Sequence, residues 1–127
     1  MIPKFRAWDK YFKEMVQVNA LVLDEQVIKA TYKNGNIAKE DVKEYELMQS
    51  TGLKDKNGKE IFEKDILDYN GRKVIVKWHG SYASFIYEFV DELQNRTTEW
   101  QPLYLSYYKF EVIGNSLENP ELLEVTE

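Results

Sequence analysis

Hydrophobic and polar positions alternate most clearly over 72–78, where Val74, Val76 and Trp78 take one parity and Lys73, Ile75 and Lys77 the other. A period of two marks a strand with one buried face, because successive side chains leave a pleated backbone on opposite sides. Similar runs, several rich in β-branched and aromatic residues, predict further strands over 4–8, 16–23, 27–32, 45–49, 65–69, 84–90, 100–107 and 110–113. Asn-Gly occurs at 34–35, 57–58 and 70–71, close to these runs each time. The dipeptide tolerates the positive φ angles of a type I′ turn, so three tight hairpins are expected. The helical signal is thin. Ile37, Val42 and Tyr45 share a face only partly, so 37–46 reads as a short helix or a loop. Asn119 and Pro120 have the residue types of a cap and a first helical position, which predicts a single turn over PELLEV.

These elements predict a mainly β fold with at most short helices. Strands 65–69, 72–78 and 84–90, joined by Asn70-Gly71 and by a turn at His79-Gly80-Ser81, form a meander of the kind that opens an SH3-like small barrel, and 110–113 is the natural closing strand. The expected organisation is an N-terminal β-hairpin lobe over 1–46, an ordered hairpin connector over 47–64 and the barrel over 65–127, packed as one compact unit.

A chain of 127 residues, 43% hydrophobic, with 3 Trp, 9 Tyr and 6 Phe, can bury a core without a covalent staple. It has no cysteine, which excludes disulfides, thiolate metal sites and thiol catalysis and fits a reducing cytoplasm. No apolar run reaches the 18 residues of a membrane span, and MIPKFRAWDKYF lacks the pattern of an export signal, so a soluble cytoplasmic protein without membrane association is expected. The net charge of -5 is uneven: residues 1–77 carry +2 and residues 78–127 carry -7. An acidic surface repels phosphate, which leaves nucleic acid only a local basic face on the first two thirds.

The densest segment is LMQSTGLKDKNGKEIFEKDIL at 47–67. Asp55, Asn57 and Gly58 fit positions three, five and six of a calcium loop, but Leu53 and Lys64 stand where its first and last carboxylates belong. Gly52 and Gly58 are separated by five residues, and Lys59 is followed by Glu60, so the phosphate-loop spacing fails as well. A hairpin is expected instead, with Asp55 accepting amide hydrogen bonds and Asn57-Gly58 supplying the positive φ angles. Glu60, Glu63, Asp65 and Asp68, interleaved with lysines, read as a solvated rim. His79 is the only histidine and reads as an exposed turn residue. No catalytic residue, metal ligand or cofactor is expected.

The remaining resource is aromatic. The stretch 82–110 has only Arg96 and Lys109 against Glu88, Asp91, Glu92 and Glu99, a charge balance that favours protein partners over nucleic acid. The expected function is a non-catalytic protein-protein interaction module, including self-association into a homo-oligomer. The alternatives are a nucleic-acid-associated module using 54–77 with Arg6 and Trp8, and a small metal-dependent enzyme built on Asp65. The candidate partner-binding residues are Arg6, Trp8, Gln49, Thr51, Asp55, Lys56, Tyr82 and Trp100.

Three stretches, KFRAWDK at 4–10, LMQSTGLKDKNGKEIFEKDI at 47–66 and FEVIGNSLENPELL at 110–123, together resemble the phage-encoded YopX-like proteins, in the family's order and across nearly the whole chain. The resemblance implies a protein of phages or prophages that acts in the bacterial cytoplasm and has a β-rich fold containing an SH3-like barrel. It implies no particular activity. Ser50 stands where the family pattern has Tyr, and Lys64 where it has Gly, which suggests an ordinary backbone φ at 64.

Overall fold

The computed structural model describes residues 4–93 and 99–124; Arg96 lies outside them. The chain is mainly β, with strands in two antiparallel sheets. It divides into two compact units, Met1–Ser50 and Thr51–Glu127.

In the first unit, β1 (Phe5–Asp9), β2 (Glu14–Val22), β3 (Val27–Thr31) and β4 (Ile37–Asp41) form a meander, and β5 (Tyr45–Lys54) pairs with β1 through its first half. The segment 37–46, expected as helix or loop, is therefore strand β4 followed by a 3-10 turn at Val42–Glu44. Pairing overrides the weak helical spacing: Thr31 to Val27 run in register against Ile37 to Asp41. The buried cluster is Ala7, Val16, Ile28, Ala30 and Tyr45, with Val18, Tyr32 and Leu47 packed against it.

In the second unit, the end of β5 and β6 (Glu60–Phe62) make a hairpin around Asn57-Gly58. The main sheet has the order β10-β9-β8-β7-β11, from β7 (Asp65–Tyr69), β8 (Arg72–His79), β9 (Ser84–Phe89), β10 (Trp100–Pro102) and β11 (Glu111–Asn115). Among the described residues no pairing joins β10 to β11, so the ladder does not close there. The long strand expected over 100–107 stops at Pro102, and 3-10 turns occupy Leu103–Leu105 and Tyr107–Lys109. Proline lacks the N–H a ladder needs, which ends the strand there. Ile61, Leu67, Val74, Val76 and Leu103 are fully buried beside Tyr87 and Phe110. Each large aliphatic side chain removed from water in this way contributes about 1.5–3 kcal/mol.

The three Asn-Gly turns are not alike. At 70–71 both residues have positive φ, 52° and 85°, as a type I′ turn requires. At the other two only the glycines do, Gly35 at 88° and Gly58 at 82°. Their amides bond back to Tyr32 O (2.9 Å) and Asp55 O (3.0 Å), while Tyr32 N and Asp55 N reach Asn36 O (2.8 Å) and Lys59 O (2.8 Å). These are three-residue loops with a left-handed glycine at the third position. The ordinary φ expected at Lys64 is also corrected: it is +69°. Lys64 N donates to Val76 O and Lys64 O accepts from Ser116 N, both at 2.9 Å, and these bonds hold the residue in the left-handed region despite its side chain.

β11 shifts register between Val112 and Gly114, and a Cβ added at Gly114 would stand 2.5 Å from Asn119 Oδ1 and 2.9 Å from Leu122 Cδ1. Asn119 does not cap the Pro120–Leu123 turn with its side chain as expected; its Oδ1 accepts from Asn115 N at 3.2 Å. Proline does occupy the start of that turn. Gly114→Ala pushes Asn119 off this amide, and a loss of about 2 kcal/mol is expected in urea unfolding.

Candidate functional site

Of the residues singled out by sequence, Tyr82 and Trp100 come together. Trp100 opens β10 and Tyr82 sits in the turn between β8 and β9; their ring centroids are 5.0 Å apart, inclined at 50°. His79, the last residue of β8, lies 4.8 Å from Trp100 and 6.3 Å from Tyr82. Tyr104, on the 3-10 turn after β10, is hydrogen-bonded to Tyr82, and that bond is the main reason the Tyr82 hydroxyl is pushed above its ordinary pKa.

The turn conformation builds this cluster. Ala83 takes a φ of 54°, its amide donates to Gly80 O at 3.3 Å, and Tyr82 N donates to His79 Nδ1 at 3.0 Å. With Nδ1 occupied as an acceptor, the neutral ring carries its proton on Nε2. Tyr82, Trp100 and Tyr104 nonetheless keep 44%, 36% and 52% of their surface exposed. The result is a fixed, largely π-faced surface whose polar atoms sit at ring edges, suited to covering apolar or aromatic groups. Sequence reasoning missed His79 and Tyr104 as members. The four-residue turn that sets His79 against Tyr82 has no recognisable motif, and Tyr104 was hidden inside an expected strand.

Of the other candidates, Thr51, Asp55 and Lys56 are engaged elsewhere in the second unit, and Arg6, Trp8 and Gln49 belong to the first. The register of β1 with β5 puts Arg6 and Trp8 on one face and Gln49, opposite Phe5, on the other. The Thr51 hydroxyl donates to Ile61 O (2.7 Å) and accepts from Leu53 N (3.1 Å). Asp55 is buried, with Oδ1 accepting from Asn57 N (2.9 Å) and Lys59 N (2.8 Å) and Oδ2 from Val112 N (2.9 Å). Lys56 Nζ pairs with Glu111 at 3.5 Å, both side chains half exposed, a contact of small energetic weight. Asp65 departs from the solvated rim expected of it: it is 1% exposed and accepts from Phe62 N at 2.8 Å, which stiffens the β6–β7 turn. Among the described residues no group of 3 or more His, Cys, Asp or Glu could hold a metal ion, and no helix is long and apolar enough to cross a membrane.

Fold and surface together define an all-β protein of two compact units, the second bearing an ordered aromatic patch. Residues 4–124 match the YopX protein family, and the chain belongs to it. It is similar to the crystal structure of protein EF1440 from Enterococcus faecalis, at 35% identity and a TM-score of 0.65, over 98% of this chain and 99% of that one. No curated protein matches it.

Proposed function

We propose that this chain is a non-catalytic accessory protein of a phage or prophage, working in the bacterial cytoplasm through protein contacts that include a second copy of itself. The ordered His79–Tyr82–Trp100–Tyr104 surface carries the reading, since exposed tyrosine and tryptophan held in place lose little freedom on being covered. The groups that catalysis would need have structural partners: His79 Nδ1 holds an amide, and Asp55 and Asp65 accept backbone N–H bonds. In the basic region proposed for nucleic acid, Lys56, Arg72 and Lys77 pair with Glu111, Asp91 and Glu88, which weakens that alternative.

The main sheet of the second unit reads as SH3-like. Its order places the last strand beside the first, and a 3-10 turn precedes that last strand, an arrangement that needs only contact between the outer strands to make a small barrel. Light scattering on the full chain tests the function. The expected result is a concentration-dependent mass above one chain that falls toward the monomer in Trp100→Ala, with unchanged far-ultraviolet circular dichroism. A constant monomer mass up to about 1 mM, a concentration that would reveal even weak contacts, would remove self-association.

A further inference from the structure

A cleft of about 430 Å³ in the second unit shares no residue with the aromatic patch. The buried rings of Tyr87 and Phe110, 5.0 Å apart, form its floor, and Tyr69 and Phe89 flank them at 6.2 Å from Phe110 and 5.8 Å from Tyr87. All three contacts are edge-on, and Tyr69 is 46% exposed, leaving an aromatic face open to a further ring. The volume falls in the range of small-molecule sites, about 300–1,000 Å³, which are likewise lined by apolar rings with a few placed polar groups.

Two cations line this cleft, and their situations differ. Arg72 lies with its guanidinium 3.6 Å from the Phe89 ring centroid, and Asp91 grips its Nε and Nη2 at 3.2 Å while Glu92 approaches to 3.5 Å. Its charge is answered, and it serves as a flat wall. Lys109 has no carboxylate partner among the described residues; its Nζ lies 5.7 Å from the Tyr108 ring. Lys109 N donates to Ser106 O at 3.0 Å, closing a 3-10 turn whose i and i+3 residues, Ser106 and Lys109, both line the cleft. One uncompensated ammonium beside a hydroxyl matches a monoanion such as carboxylate better than a dianionic phosphate.

We propose that this cleft binds an aromatic ring bearing a single carboxylate, the ring against Tyr69 and Phe110 and the carboxylate on Lys109 and Ser106. The ligand is either a free aromatic acid or the C-terminal aromatic residue of a polypeptide. The proposal does not depend on the aromatic patch or on self-association.

The test is an amide-resolved NMR titration of the full chain with 3-phenylpropionate, with the peptide Gly-Gly-Gly-Phe, and with the same peptide amidated at its C-terminus. Millimolar binding is expected, with shifts at Asn70, Ser106, Lys109 and Phe110, and the tighter of the two acids identifies the source. The amidated peptide should bind about tenfold more weakly. Lys109→Gln should weaken both acids about tenfold and leave the amidated peptide unchanged. The exposed position of Lys109 lets this variant fold. No shift with either acid at about 10 mM would overturn the proposal, as would equal binding of acid and amide or indifference of the acids to Lys109→Gln.

Discussion

Asp55→Ala is expected to lower the stability of the protein by about 4 kcal/mol, since three part-buried amides lose the buried carboxylate that accepts from them and each unsatisfied donor costs about 1–3 kcal/mol. Asp55 Oδ1 closes the β5–β6 loop through Asn57 N and Lys59 N, and Oδ2 ties that loop to β11 through Val112 N. A loss of this size is a large share of the roughly 5–15 kcal/mol typical of a domain. Asp55→Asn separates the two roles. Its amide oxygen can keep the loop bonds, but its NH₂ then faces the Val112 N–H, so about half of the loss is expected, with the loop intact and β11 loosened. Urea unfolding gives the energies, and amide exchange at Val112 against Asn57 and Lys59 locates them. A loss under about 1 kcal/mol in Asp55→Ala would mean that water replaces the carboxylate at all three amides.

Acid adds an independent check. Desolvation alone would raise the Asp55 pKa, but the bonds from Val112, Lys59 and Asn57, with the Lys59 charge, outweigh it and hold the carboxyl below its ordinary value. A depressed folded pKa contributes stability that is complete above the unfolded value, near pH 4, and is lost as pH falls through the folded one. The wild type should therefore lose stability below about pH 4 more steeply than Asp55→Asn.

The strands with strong patterns were legible in the sequence. Asp65–Tyr69 falls where period and turn signals put it, and β8 runs one residue past its expected end, to His79. There each side chain reports its own face. What failed to show was whatever depends on a partner strand or a bond distant in sequence. β4 has an exposed, charged face and carries no pattern of its own, so only its pairing with β3 makes it a strand. β6 is three residues long, too short for any period. Asp55 was readable as a turn acceptor from its neighbours Asn57 and Gly58, whereas its bond to Val112 spans 57 positions and has no local signature. The family assignment was legible because it rests on residue identity along the chain, and the match over 4–124 agrees with it. The aromatic patch was half legible: Tyr82 and Trp100 could be named as types, but the His79 and Tyr104 contacts that order them are products of the folded turn.

Removing the Asp9 carboxylate should be nearly as damaging in the first unit, at about 3 kcal/mol for Asp9→Ala. Asp9 Oδ1 accepts from Tyr11 N (2.8 Å) and Phe12 N (2.9 Å), which fixes the backbone of the β1–β2 hairpin tip, and Oδ2 accepts from the Tyr32 hydroxyl (2.5 Å). Tyr32 has one proton and gives it to Asp9, so in its 2.7 Å contact with Tyr45 it must accept, and the donation runs from Tyr45 to Tyr32 to Asp9. Desolvation, the bond to Asp9 and the contact with Tyr45 together push the Tyr32 pKa far above its ordinary 10.0. A raised folded pKa contributes stability that is complete below the unfolded value and declines as pH rises past it, so this part of the fold should weaken above about pH 10. The order of donation makes the single substitutions unequal. Tyr32→Phe deprives Asp9 of a donor and Tyr45 of an acceptor and should cost about 2–3 kcal/mol, while Tyr45→Phe removes only the outer donor and should cost about 1 kcal/mol. Because Tyr45 has lost its acceptor once Tyr32 is phenylalanine, adding Tyr45→Phe to Tyr32→Phe should cost almost nothing further. Urea unfolding of the four proteins of this cycle measures the coupling, and additive losses would show that the three side chains act separately.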